Sequence, residues 1–241
     1  MSSRLKRLSQ LVLVVLLLAG CDAPTEPTPT TVPPTPTPTP QQLLDRAVVV
    51  WNQTRSFHFA LETAGRTVSL DALGALSFSR AEGDVVAPDR LSARALISTP
   101  LGSTEMGMIV IGDDQWLTNP LNGEWEQATG DLSVSVADLF DPEAGIGVAL
   151  ASIENLERGA DETVEEVPTV RLRGTLPGSA FSTVDADLAA GEVVDVDLWI
   201  GAQDGRIRRI LLTEPPDGET AATWTFTFSN FDAEINIEPP S

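Results

Sequence analysis

Few side chains in this sequence are suited to acid–base or nucleophilic chemistry. The single histidine, His58, alternates with Phe57 and Phe59 in a pattern typical of a β-strand, which places the imidazole on the polar face of that strand. A histidine base in a hydrolytic site needs a nucleophile and an orienting group. The sequence has no Gly-x-Ser-x-Gly motif, no cysteine–histidine pair and no glycine-rich phosphate loop. We therefore predict a structural role for His58 and a protein that is not an enzyme.

Two pairs of acidic residues could bind a cation or share a proton. Asp113 and Asp114 follow Gly112 between two apolar runs, a position typical of a turn. Asp195 and Asp197 share one face of a predicted strand and could bind Ca²⁺, but no third ligand is visible in the sequence. We interpret the first pair as turn residues and the second as solvated sheet surface. No metal and no cofactor is predicted.

Cys21 is the residue whose surroundings indicate a covalent modification. Three basic residues within the first seven positions precede an apolar run at 11–19, and a glycine follows, which is the layout of a secretory signal peptide. A short transmembrane anchor is the alternative, but a spanning helix needs about 20 apolar residues. The tetrapeptide Leu-Ala-Gly-Cys at 18–21 resembles the bacterial lipobox, in which the cysteine is diacylated. As the only cysteine, Cys21 can form no internal disulfide.

These features predict a lipoprotein signal peptide in residues 1–20 and a lipid anchor on Cys21. The protein would then lie in the cell envelope, on the extracytoplasmic face of a membrane. Residues 21–40 continue as a tether, because Asp22–Pro40 holds eight prolines and seven threonines. Proline fixes φ and removes a hydrogen-bond donor, so this segment is expected to be extended polyproline II of roughly 60 Å at about 3.1 Å per residue.

Composition narrows the possible partners. Residues 21–241 keep twelve of the fifteen basic residues and all 35 acidic ones, which gives a formal charge of −23 with no lysine. A surface of this charge repels nucleic acid and anionic lipid headgroups, so neither is expected as a partner. The simpler interpretation of the many acidic residues is that they keep the protein soluble. The roughly 200 residues of segment 41–241 are within the range of one domain. We expect this domain to be a monomer.

Three helices are predicted in the domain. In Gln41–Thr54 the apolar residues recur at helical spacing along one stripe: Leu43, Leu44, Ala47, Val48 and Trp51. Asp141-Pro142-Glu143 has a capping acid followed by proline, which predicts the start of a second helix with one face formed by Ile146, Ala149, Leu150 and Ile153. A short third helix is predicted at about Ser179–Leu188.

About ten strands are predicted from the alternation of apolar and polar residues. The segments are Phe57, Phe59 and Leu61; Leu91, Ala93, Ala95 and Ile97; Met106–Ile111; Gln115–Asn119; the strand beginning near Trp125; Thr163–Glu166; Thr169–Leu176; Val194, Val196, Leu198 and Ile200; Ile207–Thr213; and Trp224, Phe226 and Phe228. Turn residues separate them, for example Pro120-Leu121-Asn122-Gly123 and Gln203-Asp204-Gly205. An antiparallel sheet with one apolar face must be covered, so we predict an α+β fold in which the helices cover a wide curved sheet. A gap between the two layers would be a ligand site.

Four stretches carry a resemblance to a known family. They are VIGDDQWLTNPLNGEWEQ (110–127), PTVRLRGTLPGSAF (168–181), VDVDLWIGAQDGRIRRI (194–210) and WTFTFSNFDAEINIEPP (224–240). They resemble the LppX/LprAFG family of bacterial lipoproteins, and the resemblance covers most of Gln41–Pro240. It implies a half-barrel of antiparallel strands with helices on the concave side. It also implies a hydrophobic cavity that holds acyl chains of a lipid or lipoglycan and moves or presents lipids in the cell envelope. The family has no catalytic motif to carry over.

Two functions follow as hypotheses. The first is a lipid-binding and lipid-transfer lipoprotein, and the second is a structural or protein-interaction lipoprotein whose core is filled and binds no ligand. The small residues on the inner face either let helix and sheet pack closely or leave room for an acyl chain. Under the first hypothesis the predicted cavity residues are Trp51, Phe57, Phe59, Leu61, Ala93, Ala95, Ile97, Leu198, Trp224, Phe226 and Phe228.

The anchor assignment gives a first prediction. Cys21→Ser should block lipidation, because a serine hydroxyl cannot form the thioether. We expect uncleaved precursor or a mis-sorted product, detected by metabolic labelling with a radioactive fatty acid and by the size of the protein. A variant that still partitions into detergent as a mature lipoprotein, with its signal removed, would contradict the assignment.

Overall fold

The structure is a computed structural model that describes residues 37–65, 68–69, 77–99, 102–128, 135–181, 193–216 and 220–240. From Pro38 onward these residues belong to one compact unit. The predicted signal peptide, Cys21 and the tether as far as residue 36 lie outside the described residues. Within the described ranges, no helix has the length and apolar character needed to cross a membrane.

The domain opens with helix α1, Pro40–Gln53, in close agreement with the predicted helix Gln41–Thr54. Its buried stripe, Leu44, Ala47 and Trp51, is the apolar face seen in the sequence. Thr39 caps the helix: its hydroxyl accepts a hydrogen bond from the Gln42 backbone N–H (3.2 Å), and the Gln42 side chain accepts one from the Thr39 N–H (3.0 Å). This capping box satisfies two backbone donors that a helix start would otherwise leave unpaired.

In the part of the chain that the structure describes, thirteen strands form a single antiparallel sheet. They are β1 Ser56–Ala64, β2 Val68–Ser69, β3 Ser77–Val86, β4 Arg90–Thr99, β5 Gly102–Ile111, β6 Asp114–Thr118, β7 Trp125–Gln127, β8 Glu154–Arg158, β9 Glu162–Val164, β10 Val167–Pro177, β11 Val193–Gly201, β12 Ile207–Thr213 and β13 Thr223–Ser229. The helices that follow α1 are α2 Val136–Leu139, α3 Ile146–Ala151 and a 3₁₀ helix at Gly178–Phe181.

The strand order is β7-β6-β5-β4-β3-β1-β13-β12-β11-β10-β8, with β2 paired to β3 and β9 paired to β10. The two ends of this order do not pair with each other, so the sheet remains open. The first and last strands of the domain meet near its middle, where Phe59 lies opposite Phe228 and Leu61 opposite Phe226. The prediction of an α+β fold with an open, curved antiparallel sheet and three helices is confirmed.

Three strands were not predicted: β2 has only two residues and is too short to show alternation, and β3 and β8 each contain an irregularity that hides it. In β3 a bulge lies between Phe78 and Arg80, so that Phe78 and Ala81 reach the same face although they are three residues apart. In β8 Leu156 is the one apolar residue, and Asn155 has a positive φ of 54°. Sequence periodicity cannot detect a strand whose period is interrupted in this way.

The predicted helix start at Asp141-Pro142-Glu143 is wrong. The Asp141 carboxylate accepts hydrogen bonds from the backbone N–H groups of Glu143 (2.6 Å) and Ala144 (3.0 Å), which forms a turn. The helix α3 begins four residues later, at Ile146 after Gly145, and Ile153 follows its end. At the third predicted helix, about Ser179–Leu188, the structure describes a 3₁₀ helix at Gly178–Phe181, and residues 182–192 lie outside the described residues.

An ionic network covers the outer face of β10–β12. The Asp197 carboxylate accepts hydrogen bonds from the Nε atoms of Arg171 (2.8 Å) and Arg173 (3.1 Å), and the Arg171 guanidinium lies over the Trp199 ring at 4.7 Å. Glu162 accepts from Trp199 Nε1 (2.9 Å) and from Arg171 (3.0 Å), and these donors hold the pKa of Glu162 below its usual value. The face predicted to be solvated sheet surface around Asp195 and Asp197 is therefore partly closed by guanidinium and indole groups.

The capping box gives a second prediction. Thr39→Ala should lower the free energy of unfolding by about 0.5–2 kcal/mol, because the Gln42 N–H loses its partner. Thr37→Ala, two residues earlier on the exposed chain, is the matched control and should be neutral. Urea denaturation of both variants measures the difference. Equal stabilities for the two variants would mean that the cap contributes nothing.

Candidate functional site

A cavity of about 410 Å³ lies between the concave face of the sheet and the helices. This volume is within the roughly 300–1,000 Å³ of typical ligand pockets. Its described lining is almost entirely apolar, and Asp138, which is exposed, is the one ionisable residue among the lining residues that the structure describes. An apolar cavity with so few polar groups suits hydrocarbon and offers little to bind a polar ligand along its length.

Strand register explains where the cavity is. Side chains that lie opposite one another on neighbouring strands form rows across the concave face, and the longest row through the cavity is Met106, Ala95, Ala81, Leu61, Phe226 and Ile210. The neighbouring row is Met108, Ala93, Gly83, Phe59 and Phe228. In both rows the smallest residues fall on β3 and β4. The sheet is therefore hollow over these two strands, with larger side chains on either side.

Gly83 brings β3 and β4 close together under this hollow. A Cβ atom at Gly83 would lie 2.3 Å from the Ser92 carbonyl oxygen and 2.7 Å from the Ala93 Cα. Both atoms belong to the β4 backbone, so no side-chain movement could relieve the contact. Glycine inside a strand marks such a close approach of backbones.

The segment from α2 to α3 covers the hollow. Its contribution to the lining is Asp138, Leu139, Ala144, Gly145, Ile146, Ala149 and Leu150. Helix α3 packs on α1 through Gly147, where a Cβ atom would lie 2.2 Å from Asn52 Oδ1. Because α3 rests directly on α1, the small residues of α3 serve close helix packing on one side and cavity space on the other.

Aromatic rings close one end of the cavity. Trp51 of α1 packs against Phe57 at 5.3 Å and against Phe228 at 5.1 Å between ring centroids. Phe57 and Phe228 meet edge to face at 5.6 Å, and Phe140 lies 6.3 Å from Phe57. Tilted and edge-to-face pairs at these distances are favourable. This cluster joins α1 to the middle of the sheet and fixes one wall of the cavity.

The structure places seven of the eleven predicted cavity residues in the lining. These are Phe57, Phe59, Leu61, Ala93, Ala95, Phe226 and Phe228. The other four, Trp51, Ile97, Leu198 and Trp224, are buried core residues that do not line the cavity. Trp51 lies behind Phe57 and Phe228, and the Trp224 indole N–H donates to Glu214 (2.6 Å). The inner face of the sheet is thus part cavity and part close-packed core, and alternation along a strand cannot separate the two.

Sequence reasoning missed several lining residues. Six of them follow the strand alternation and could have been found from it: Met106, Met108, Leu91, Val196, Ile210 and Leu212. Phe78 and Ala81 lie on either side of the bulge in β3, so alternation could not identify them. The polar candidates lie outside the cavity lining that the structure describes. The His58 ring nitrogen Nδ1 lies 2.8 Å from an Asp84 carboxylate oxygen, and Asp113 lies in the turn before β6. Among the described residues, no three His, Cys, Asp or Glu side chains are grouped so as to hold a metal ion.

The sequence is similar to a family of lipoproteins and to two named relatives. Residues 39–237 match the family model described as LppX_LprAFG lipoprotein. The Lipoarabinomannan carrier protein LprG of Mycolicibacterium hassiacum is 26% identical over 97% of this chain and 96% of its own length. An LppX protein of Mycobacterium leprae, whose name proposes phthiocerol dimycocerosate transport, is 30% identical over 62% of this chain. The matched region spans 59% of the length of that LppX protein.

A solved structure supports the fold independently. The crystal structure of LprF from Mycobacterium bovis superposes with a TM-score of 0.67 over 86% of this chain and all of the LprF chain. The sequence identity is 17%, so the likeness concerns the backbone architecture.

Gly83 gives a third prediction. Gly83→Ala should destabilise the domain by about 1–3 kcal/mol, because the added methyl group overlaps the β4 backbone. The loss should persist in the double variant Gly83→Ala with Ala93→Gly, since the Ser92 carbonyl oxygen is the nearest obstacle rather than the Ala93 methyl group. Thermal unfolding measures both effects. Full recovery in the double variant would show that the backbones are not in close contact.

Proposed function

Because the chain belongs to the LppX_LprAFG lipoprotein family, we propose that it is a membrane-anchored carrier of lipids. In this proposal the cavity binds lipid acyl chains, and the protein transfers or presents these lipids in the cell envelope. The observation that carries the proposal is the cavity of about 410 Å³, which apolar side chains line between sheet and helices. The family match alone would not distinguish an open cavity from a filled core.

The energy of an empty cavity supports the presence of a ligand. The side chains that line an unfilled volume of about 410 Å³ lack the dispersion contacts that a close-packed neighbour would supply. Water does not replace these contacts, because the apolar lining gives a water molecule too few hydrogen-bond partners. Hydrocarbon chains fill the space and bury their own apolar surface at the same time.

The names of the relatives suggest the class of ligand. The relative from M. hassiacum is named a carrier of lipoarabinomannan, and the relative from M. leprae is named for transport of phthiocerol dimycocerosate. Both ligands are lipids, and one of them carries a glycan. We propose that this chain takes a lipid or lipoglycan whose acyl chains enter the cavity while its polar part stays outside, near the exposed Asp138.

The predicted anchor and tether fit this role. A lipid on Cys21 would hold the protein at a membrane, and a tether of up to roughly 60 Å, at about 3.1 Å per residue of polyproline II, would let the domain reach lipids around it. The alternative function, a structural lipoprotein with a filled core, does not account for the cavity. We propose that the protein acts without catalysis, because the binding and transfer of a lipid need only an apolar cavity of suitable shape.

Ala95→Trp tests the proposal. Ala95 lines the hollow between Ala81 and Met106. An indole group at this position would occupy the space that the proposal assigns to a lipid acyl chain. We expect the variant to lose co-purified lipid in organic extracts examined by mass spectrometry, with a nearly normal melting temperature. In a close-packed core the same change would cost typically about 1–3 kcal/mol.

Ala60→Trp is the matched control, because Ala60 is the same residue type on β1 but faces the outer side of the sheet. It should retain bound lipid. A wild-type protein that carries no lipid, together with a strongly destabilised Ala95→Trp variant, would overturn the carrier proposal.

A further inference from the structure

The methionines of this chain are concentrated at the cavity. The sequence has three, Met1, Met106 and Met108, and the latter two line the cavity from β5. Both are half-buried, so their side chains border the empty space and are not locked within the core. Methionine has three rotatable bonds and a polarisable thioether, and it is over-used at surfaces that bind ligands of varied shape.

Strand register sets each methionine beside an alanine. Met106 lies directly opposite Ala95, and Met108 lies directly opposite Ala93. Cβ atoms of directly opposed residues are about 4.5–5.5 Å apart. The alanines leave the space above β4 unfilled, and the thioether chains are long enough to extend over it. Each methionine can therefore cover the hollow when it is empty and withdraw when a chain enters.

The backbone of β5 is held from the other side of the sheet. The Trp125 ring packs on Gly107, where a Cβ atom would lie 2.8 Å from the ring, and the Gly107 N–H donates to Thr118 Oγ1 at 2.7 Å. Gly107 separates the two methionines in sequence and faces outward. Since β5 is fixed in this way, a change in the width of the cavity at β5 has to come from the side chains of Met106 and Met108.

We propose that Met106 and Met108 determine the chain specificity of the cavity, as a movable wall that fits acyl chains of different shape. This inference rests on the proposed function. A leucine of similar volume fills the same space but is branched and has fewer rotatable bonds, so it presents a fixed surface. The breadth of ligands, rather than binding itself, is the property that the two thioethers control.

The test compares two ligands in residues 21–241, produced without the predicted signal peptide and carrying Cys21→Ser, which removes the predicted anchor site and the single thiol. The probes are diacylglycerols with two palmitoyl chains, which are straight, or two oleoyl chains, which are kinked. The wild type should bind both with similar Kd. In the double variant Met106→Leu with Met108→Leu, the ratio of the oleoyl Kd to the palmitoyl Kd should rise by about tenfold, which corresponds to about 1.4 kcal/mol.

Leu117→Met is the matched control. Leu117 lies opposite Met108 on β6 and is buried outside the cavity lining, so the reverse exchange there should leave the ratio unchanged. An unchanged ratio in the double leucine variant, with both ligands still bound, would overturn the inference and leave the proposed function intact. A wild type that binds neither ligand would overturn the proposed function and the inference with it.

A second measurement needs no variant. Hydrogen peroxide oxidises a thioether to its sulfoxide while the peroxide is reduced to water, and peptide mass spectrometry can follow this reaction at Met106 and Met108. Bound oleoyl diacylglycerol should slow the oxidation of both residues at least about tenfold, because the chains cover the sulfur atoms. Equal rates with and without ligand would show that the methionines do not contact it, and would overturn the inference.

Discussion

The fold depends on one constraint: a wide sheet with an apolar concave face has to be kept from water, and the side chains available do not fill the space. Helix α1 supplies the buried residues Leu44, Ala47 and Trp51, which close-pack over one part of the sheet. At the middle of β3 and β4 the sheet offers only alanine and glycine, and the short helices α2 and α3 cover this hollow without entering it. The concave face of the sheet therefore carries both a close-packed core and a cavity. The small residues at the middle of β3 and β4 determine where the core ends and the cavity begins.

Ionic networks join strands and loops on the outer side of the sheet. On the outer face of β10–β12, Asp197 joins two arginines, and Arg171 lies between Asp197, Glu162 and the Trp199 ring. Near the end of α1, Asp232 accepts hydrogen bonds from the Arg55 backbone N–H (2.9 Å) and from Arg206 (2.6 Å), and these contacts lower the pKa of Asp232. The first network ties neighbouring strands together on the face opposite the buried core residues Leu172 and Leu198. The two networks also explain how so acidic a chain uses its few arginines.

Much of this architecture could be predicted from the sequence, because most strands keep a strict alternation that burial of one face demands. The alternation of Trp224, Phe226 and Phe228 correctly gave their common face, but it could not tell that Trp224 is core while Phe226 borders the cavity. That distinction depends on which residues lie on the neighbouring strands and on what the helices cover. The bulge in β3 and the Asp141 turn before α3 were missed for a different reason. Each depends on local backbone hydrogen bonds, which the spacing of apolar residues does not reveal.

The pairing of β1 with β13 has a consequence for the order in which the domain can assemble. Phe59 finds its partner Phe228 only 169 positions later, so the middle of the sheet joins two segments that leave the ribosome far apart in time. Contacts between residues so distant in sequence form slowly and late in folding. Until β13 arrives, β1 presents an unpaired edge, and Phe59 and Leu61 lack their neighbours Phe228 and Phe226. The cavity wall is therefore completed only by β13, so the full cavity cannot hold a ligand until β13 has been synthesised and paired with β1.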